Sequence, residues 1–373
     1  MRVRVLVGAL SAALAVVGVV VALQFASQDP RESMRVCLTN SADRQACVER
    51  TLTSASSEEQ IFGILNTIEQ YAQGNVDFTV NECHEAVHAT AVRAIEVLGQ
   101  SAFAYPEITC QGGYIHGLFL SVHDRSLDEL RRMHQTCLTA GGPEPSLKRE
   151  TNCDHGFGHG VTLVLPDGPL STSIETCATL GDSESRSMCV DGAMMSFQDA
   201  LRALFLARNT NEEPVGELTN MPTVLQQLQD ERFVKDACLP FSEKELAWNC
   251  WGYASRILAM ISTDAEGHLT WCAQSPVVSC GYGMGMERYG NYQDQNDPAL
   301  GSALGVCDRL GNLAGERGKN ADEYRQACQF GLVYPLNEPT RVAGAQDYAG
   351  CAVLPGRDQK ACRTGVEKLF FTA

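Results

Sequence analysis

Seven of the eight histidines fall between His84 and His159, about a fifth of the 373 residues. They come in a pattern. His84 and His88 stand four apart, as do His155 and His159. On a helix that spacing puts both rings on one face, one turn apart, where two neutral imidazoles can hold one metal ion. His116 and His159 each stand six residues after a cysteine, and a glycine follows each: Cys110-Gln-Gly-Gly-Tyr-Ile-His116-Gly and Cys153-Asp-His155-Gly-Phe-Gly-His159-Gly. Five imidazoles in three related stretches point to a metal centre built from His84, His88, His116, His155 and His159. His123 shares the face of His116 and is a reserve ligand. His134 is expected at the surface, and His268 is expected to be incidental. Glycines 156, 158 and 160 are poor helix formers, each costing about 1 kcal/mol against alanine. A chain accepts that where backbones pack closely or a ligand approaches.

His84-Glu85-Ala86-Val87-His88 matches H-E-x-x-H and so resembles the zincin metallohydrolases over five residues. The resemblance implies a Zn²⁺ ion on His84 and His88, with Glu85 as the general base that activates its water and peptide bonds as the substrate class. The longer H-E-x-x-H-x-x-G-x-x-H form is absent, which leaves His116 or His159 as the third ligand. Two other readings stay open. One is a non-enzymatic protein holding copper or haem on the same five histidines. Met195 and Met286 stand six residues after Cys189 and Cys280, and thioether with imidazole is a copper-type set, although methionine more often fills helical cores. The other is a metal-free helical-repeat scaffold for a protein or peptide partner. There is no G-x-S-x-G, P-loop or dinucleotide fingerprint, and no C-x-x-C-H for covalent haem.

What must position these residues is written in the cysteines. C-x-x-G recurs at Cys110, Cys153, Cys189, Cys280, Cys328 and Cys362, with a near-copy at Cys250, spaced roughly 42 residues apart as in two-helix repeats. Each has a second cysteine upstream. Neighbour pairing predicts disulfides 37–47, 83–110, 137–153, 177–189, 238–250, 272–280, 307–328 and 351–362. Apolar residues at helical spacing, such as Ile61, Leu65 and Ile68, and the scarcity of strand signals predict a mostly α chain. It is expected to be an α-solenoid-like array of disulfide-stapled hairpins.

The even set of 16 cysteines argues for an oxidising compartment. Arg2 and Arg4 precede the uncharged run Val5 to Leu23, 19 residues long, enough for one membrane-spanning helix. Basic residues before the run place the rest outside the cytosol. Residues 1–27 are therefore expected to be a signal or anchor. Residues 28–208 form the His-rich region, 209–222 a linker, and 223–373 a Cys-rich helical-repeat region. The formal net charge of −16 excludes nucleic acid and an anionic membrane surface as partners. The membrane is met through the N-terminal helix alone.

Overall fold

The computed structural model describes residues 29–40, 43–75, 78, 82–105, 110–121, 126–140, 147–165, 170–210, 226–227, 229–241, 243–289, 299–342, 351–352, 354, 356, 359–360 and 362–363. The expected anchor at residues 1–27 lies outside them, as do His123 and residues 211–222 of the expected linker. Among the described residues there is no strand, and no helix is long and apolar enough to cross a membrane. The chain divides into two units, Met1–Tyr114 and Ile115–Ala373.

The first unit holds α1 (Pro30–Asn40), α2 (Arg44–Ser54), α3 (Glu58–Gly74) and α4 (Cys83–Leu98). Two helices start on side-chain caps: Asp43 accepts from the amide of Ala46, and Ser57 from that of Gln60. The apolar stripe anticipated on α3 is the centre of the core. Ile61, Ile64, Leu65 and Ile68 are fully buried with Met34 and Leu38 of α1 and Val87 and Ala91 of α4. Cys37–Cys47 ties α1 to α2. Cys83–Cys110 ties the first residue of α4 to a 3₁₀ turn at Cys110–Gly112. The helix α5 (Gly113–Leu120) follows that turn.

The second unit is a run of helical hairpins in which, in every pair but one, the first helix leads into a longer second one. The pairs are α6 (Leu127–Ala140) with α7 (Leu147–Val164), α8 (Leu170–Cys177) with α9 (Ser183–Thr210), and α10 (Glu231–Ala237) with α11 (Lys244–Ile261). Then come α12 (Ala265–Cys272) with α13 (Ser279–Met284) and α14 (Ala299–Glu316) with α15 (Ala321–Val342). One disulfide closes each pair: 137–153, 177–189, 238–250, 272–280 and 307–328. Cys351–Cys362 completes the eight pairings expected from the sequence, and no described cysteine is free.

The inner helices α7, α9, α11, α13 and α15 pack each on the next. Glycine makes this possible. A Cβ on Gly158 of α7 would collide with the carbonyl oxygen of Cys189 on α9, and one on Gly192 of α9 would collide with the carbonyl oxygen of His155 on α7. The two backbones therefore touch. Gly285 against Cys328, and Gly331 against Tyr282, repeat the same reciprocal contact where α13 meets α15. Gly192 and Gly331 are the glycines of their C-x-x-G copies, and Gly158 and Gly285 stand two residues after theirs.

Candidate metal centre

In the first unit, α4 carries His84, Glu85 and His88. The rings of His84 and His88 stack with centroids 4.5 Å apart, as their spacing predicts. Both are half-buried, whereas Glu85 is exposed. His84 Nδ1 lies 3.0 Å from the carbonyl oxygen of Cys110.

In the second unit, α5 supplies His116 and α7 supplies His155 and His159. All three are buried, each 5% exposed. The His116 ring lies 4.4 Å from that of His155 and 5.1 Å from that of His159, centroid to centroid. One ring nitrogen from each of the three lies within 4.8 Å of the others. Gly156 opens the way for this arrangement, since a Cβ there would strike the Phe119 ring of α5.

Hydrogen bonds fix how the rings turn. His155 Nδ1 lies 2.9 Å from Asp191 Oδ2 on α9. A carboxylate only accepts, so Nδ1 carries the proton and Nε2 presents its lone pair. His159 Nδ1 lies 2.6 Å from Ser196 Oγ, also on α9. The two Nε2 atoms then face each other at 2.9 Å. Zinc–nitrogen bonds of about 2.05 Å at the tetrahedral angle set two nitrogens about 3.3 Å apart, so this pair opens by about 0.4 Å to share an ion. Two such bonds in line span at most about 4.1 Å, so any pair of the three wider than that draws in around an ion. Imidazoles anchored through one nitrogen to a carboxylate or hydroxyl, with the other turned inward, are the usual arrangement around a bound metal. The donor set therefore fits a borderline cation that favours imidazole.

Asp191 and Ser196 were not anticipated from the sequence. The available signal is their register, two and seven residues after Cys189 in a helix of the same repeat. His134, expected at the surface, is mostly covered instead. Its Nε2 bonds Asp154 Oδ1 at 2.7 Å, and its ring packs 4.8 Å from Phe157. His268 is fully buried and bonded to Ser255, 2.8 Å away. Of the methionines considered as copper ligands, Met195 and Met286 are half-buried, while Met194 and Met284 beside them belong to the core.

A second copy of the repeat, where α11 meets α13, shows what the scaffold holds without histidine. Counted from the cysteine of each helix, Arg256, Tyr282 and Met286 hold the places of His116, His155 and His159. Here Glu287 gathers charge instead. It accepts from Arg202 Nη2 at 2.5 Å and from Gln198 Nε2 at 3.0 Å, with Arg256 Nε 3.6 Å away. The same register therefore holds an ion-pair cluster in place of imidazoles, so the repeat does not by itself call for the three histidines. Compared with protein-family models, curated proteins and solved structures, this chain matches none of them.

Proposed function

We propose that this chain is a metal-binding protein of an oxidising, extracytoplasmic compartment, with His116, His155 and His159 as its resident ligands and Zn²⁺ as the favoured ion. The observation that carries the reading is the pair of Nε2 atoms facing each other at 2.9 Å while Asp191 and Ser196 hold the opposite nitrogens. Imidazole nitrogen suits zinc and copper above the hard cations, and no thiolate is left to compete, since every described cysteine is in a disulfide. Eight disulfides support the oxidising compartment. The test is elemental analysis of the purified chain alongside His159→Ala. One equivalent of metal in the wild type and none at this centre in the variant is the expected result.

A second reading rests on the same distances. Ser196 Oγ–H can donate to His159 Nδ1, His159 Nε2–H to His155 Nε2, and His155 Nδ1–H to Asp191, which makes a closed hydrogen-bonded relay without metal. A chain that stays metal-free after dialysis against excess Zn²⁺ and Cu²⁺ favours the relay. The zinc peptidase implied by H-E-x-x-H asks for more, namely a water activated by Glu85, which stands exposed. Peptide hydrolysis that disappears in Glu85→Gln is the result that would add it.

A further inference from the structure

We infer that the Ser196 hydroxyl is a two-way anchor that lets His159 exchange tautomers, so that the buried centre either closes on itself by hydrogen bonds or opens to an ion. This rests on the metal-binding reading above and deepens it: His155 is a fixed ligand and His159 a convertible one.

One carboxylate sets the direction of every proton in the hydrogen-bonded state. Asp191 Oδ2, 2.9 Å from His155 Nδ1, only accepts, so that nitrogen carries the proton of the neutral ring and Nε2 has the lone pair. His159 Nε2 lies 2.9 Å from His155 Nε2. Two lone pairs that close would repel, so the proton between them belongs to His159. Its Nδ1 is then an acceptor, and the Ser196 hydroxyl, 2.6 Å away, is the donor.

An ion needs the lone pairs of both Nε2 atoms. His155 already offers its own. His159 must lose the proton at Nε2 to water and gain one at Nδ1, and the ring stays neutral. Nδ1–H then donates to Ser196 Oγ, whose own hydrogen has to turn elsewhere. A helical serine can turn it to the carbonyl four residues back, here that of Gly192 on the same helix. A hydroxyl serves both states because it has one donor and two acceptor lone pairs, whereas a carboxylate serves only the second. Ser196 is 7% exposed and His159 5%, so bulk water is a poor substitute for that partner. Seven residues after its cysteine α9 has Ser196, and at the same register α13 has Glu287. The repeat therefore does not itself require a hydroxyl at this place.

The experiment is nitrogen-15 NMR of the full chain labelled at histidine, metal-free and with one equivalent of Zn²⁺, with His159 assigned by its loss in His159→Ala. In the metal-free chain His159 is expected to be protonated at Nε2. With Zn²⁺ it should be protonated at Nδ1, while His155 keeps its proton on Nδ1 throughout. Ser196→Thr, which retains the hydroxyl, should repeat the exchange. Ser196→Asp should hold the proton on His159 Nδ1 in both states and raise Zn²⁺ affinity about tenfold. Zn²⁺ that binds with no change in the His159 tautomer overturns the inference alone, and this wild-type result decides the matter even where Ser196→Asp fails to fold. A chain that takes up no Zn²⁺ refutes the metal reading, and the exchange with it.

Discussion

The carbonyl oxygen of His155 occupies the space where a side chain on Gly192 would begin. The glycine that seats α9 on α7 therefore touches the backbone of a candidate ligand. Packing and site share one crossing. Gly192→Ala must push the helices apart, because the obstacle is backbone and not the end of a flexible side chain. Overpacking of this kind costs about 1–3 kcal/mol. The same displacement moves Asp191, one residue before Gly192, away from His155. The expected outcome is a lower denaturation midpoint together with weaker metal uptake. Gly301→Ala, on α14 with nothing near its missing Cβ, should leave both unchanged.

Asp191 is expected to act through His155 and not on the ion itself. Asp191→Asn keeps the shape but offers an amide that can donate, so the proton on His155 Nδ1 is no longer enforced. Metal affinity should fall about 10–100-fold, while the unfolding midpoint of the metal-free chain moves little. Ser196→Ala should act the same way through His159. If affinity is unchanged in both variants, the two anchors do not set the ring orientation.

The eight disulfides and the helical class were legible because both are local: each cysteine pairs with its neighbour in sequence, and six of the pairs join consecutive helices. The convergence of His116, His155 and His159 was legible too, through the shared register of His116 and His159 after the repeat cysteine and the four-residue spacing of His155 and His159. Asp191 and Ser196 were not. Which face of α9 meets α7 depends on the contacts of Gly158 with Cys189 and of Gly192 with His155, and no spacing within one segment reveals a contact between two. His134 misled for a related reason. Its partner Asp154 lies across a hairpin, and a histidine on a polar stretch such as Arg131-Arg132-Met133-His134 reads as surface until that carboxylate is placed. Arg256, Tyr282 and Met286 carry the same register as the histidines without their chemistry, so the repeat announces a crossing and not its use.

His268 gives the second unit an acid sensitivity with a defined sign. Burial, reinforced by the cationic Arg288 and Lys235 and opposed by Glu231, holds its pKa down at about 3 from 6.5. The unfolded chain takes a proton near pH 6.5 and the folded chain does not. Above pH 6.5 the residue is neutral in both states and contributes no pH dependence. As pH falls from 6.5 toward 3, the unfolded state gains protons and stability is lost, by roughly 3 kcal/mol at pH 4.5. His268→Gln retains a polar partner for Ser255 and does not titrate. Denaturation midpoints measured at pH 7 and 4.5 should therefore differ less in the variant than in the wild type. An equal difference in both would show that His268 takes its proton in the folded state.

The Cys137–Cys153 bridge tests whether metal and disulfide stabilise the same hairpin. It closes a loop of 16 residues between α6 and α7, and Cys153 lies two residues before His155. Cross-linking a loop of this size restricts the unfolded chain by about 3 kcal/mol. Replacing both cysteines by serine should lower the unfolding midpoint accordingly. A metal that binds only the folded state opposes that loss. At one hundred times its dissociation constant it returns about 2.7 kcal/mol, enough to restore most of the melting temperature. The measurement is a thermal melt of the Cys137→Ser/Cys153→Ser chain with and without Zn²⁺, repeated with His159→Ala added. Recovery by Zn²⁺ that vanishes in the triple variant ties the ion to α7. Recovery that persists there would mean that the stabilising ion sits elsewhere, and that α7 relies on its disulfide and its glycine crossing alone.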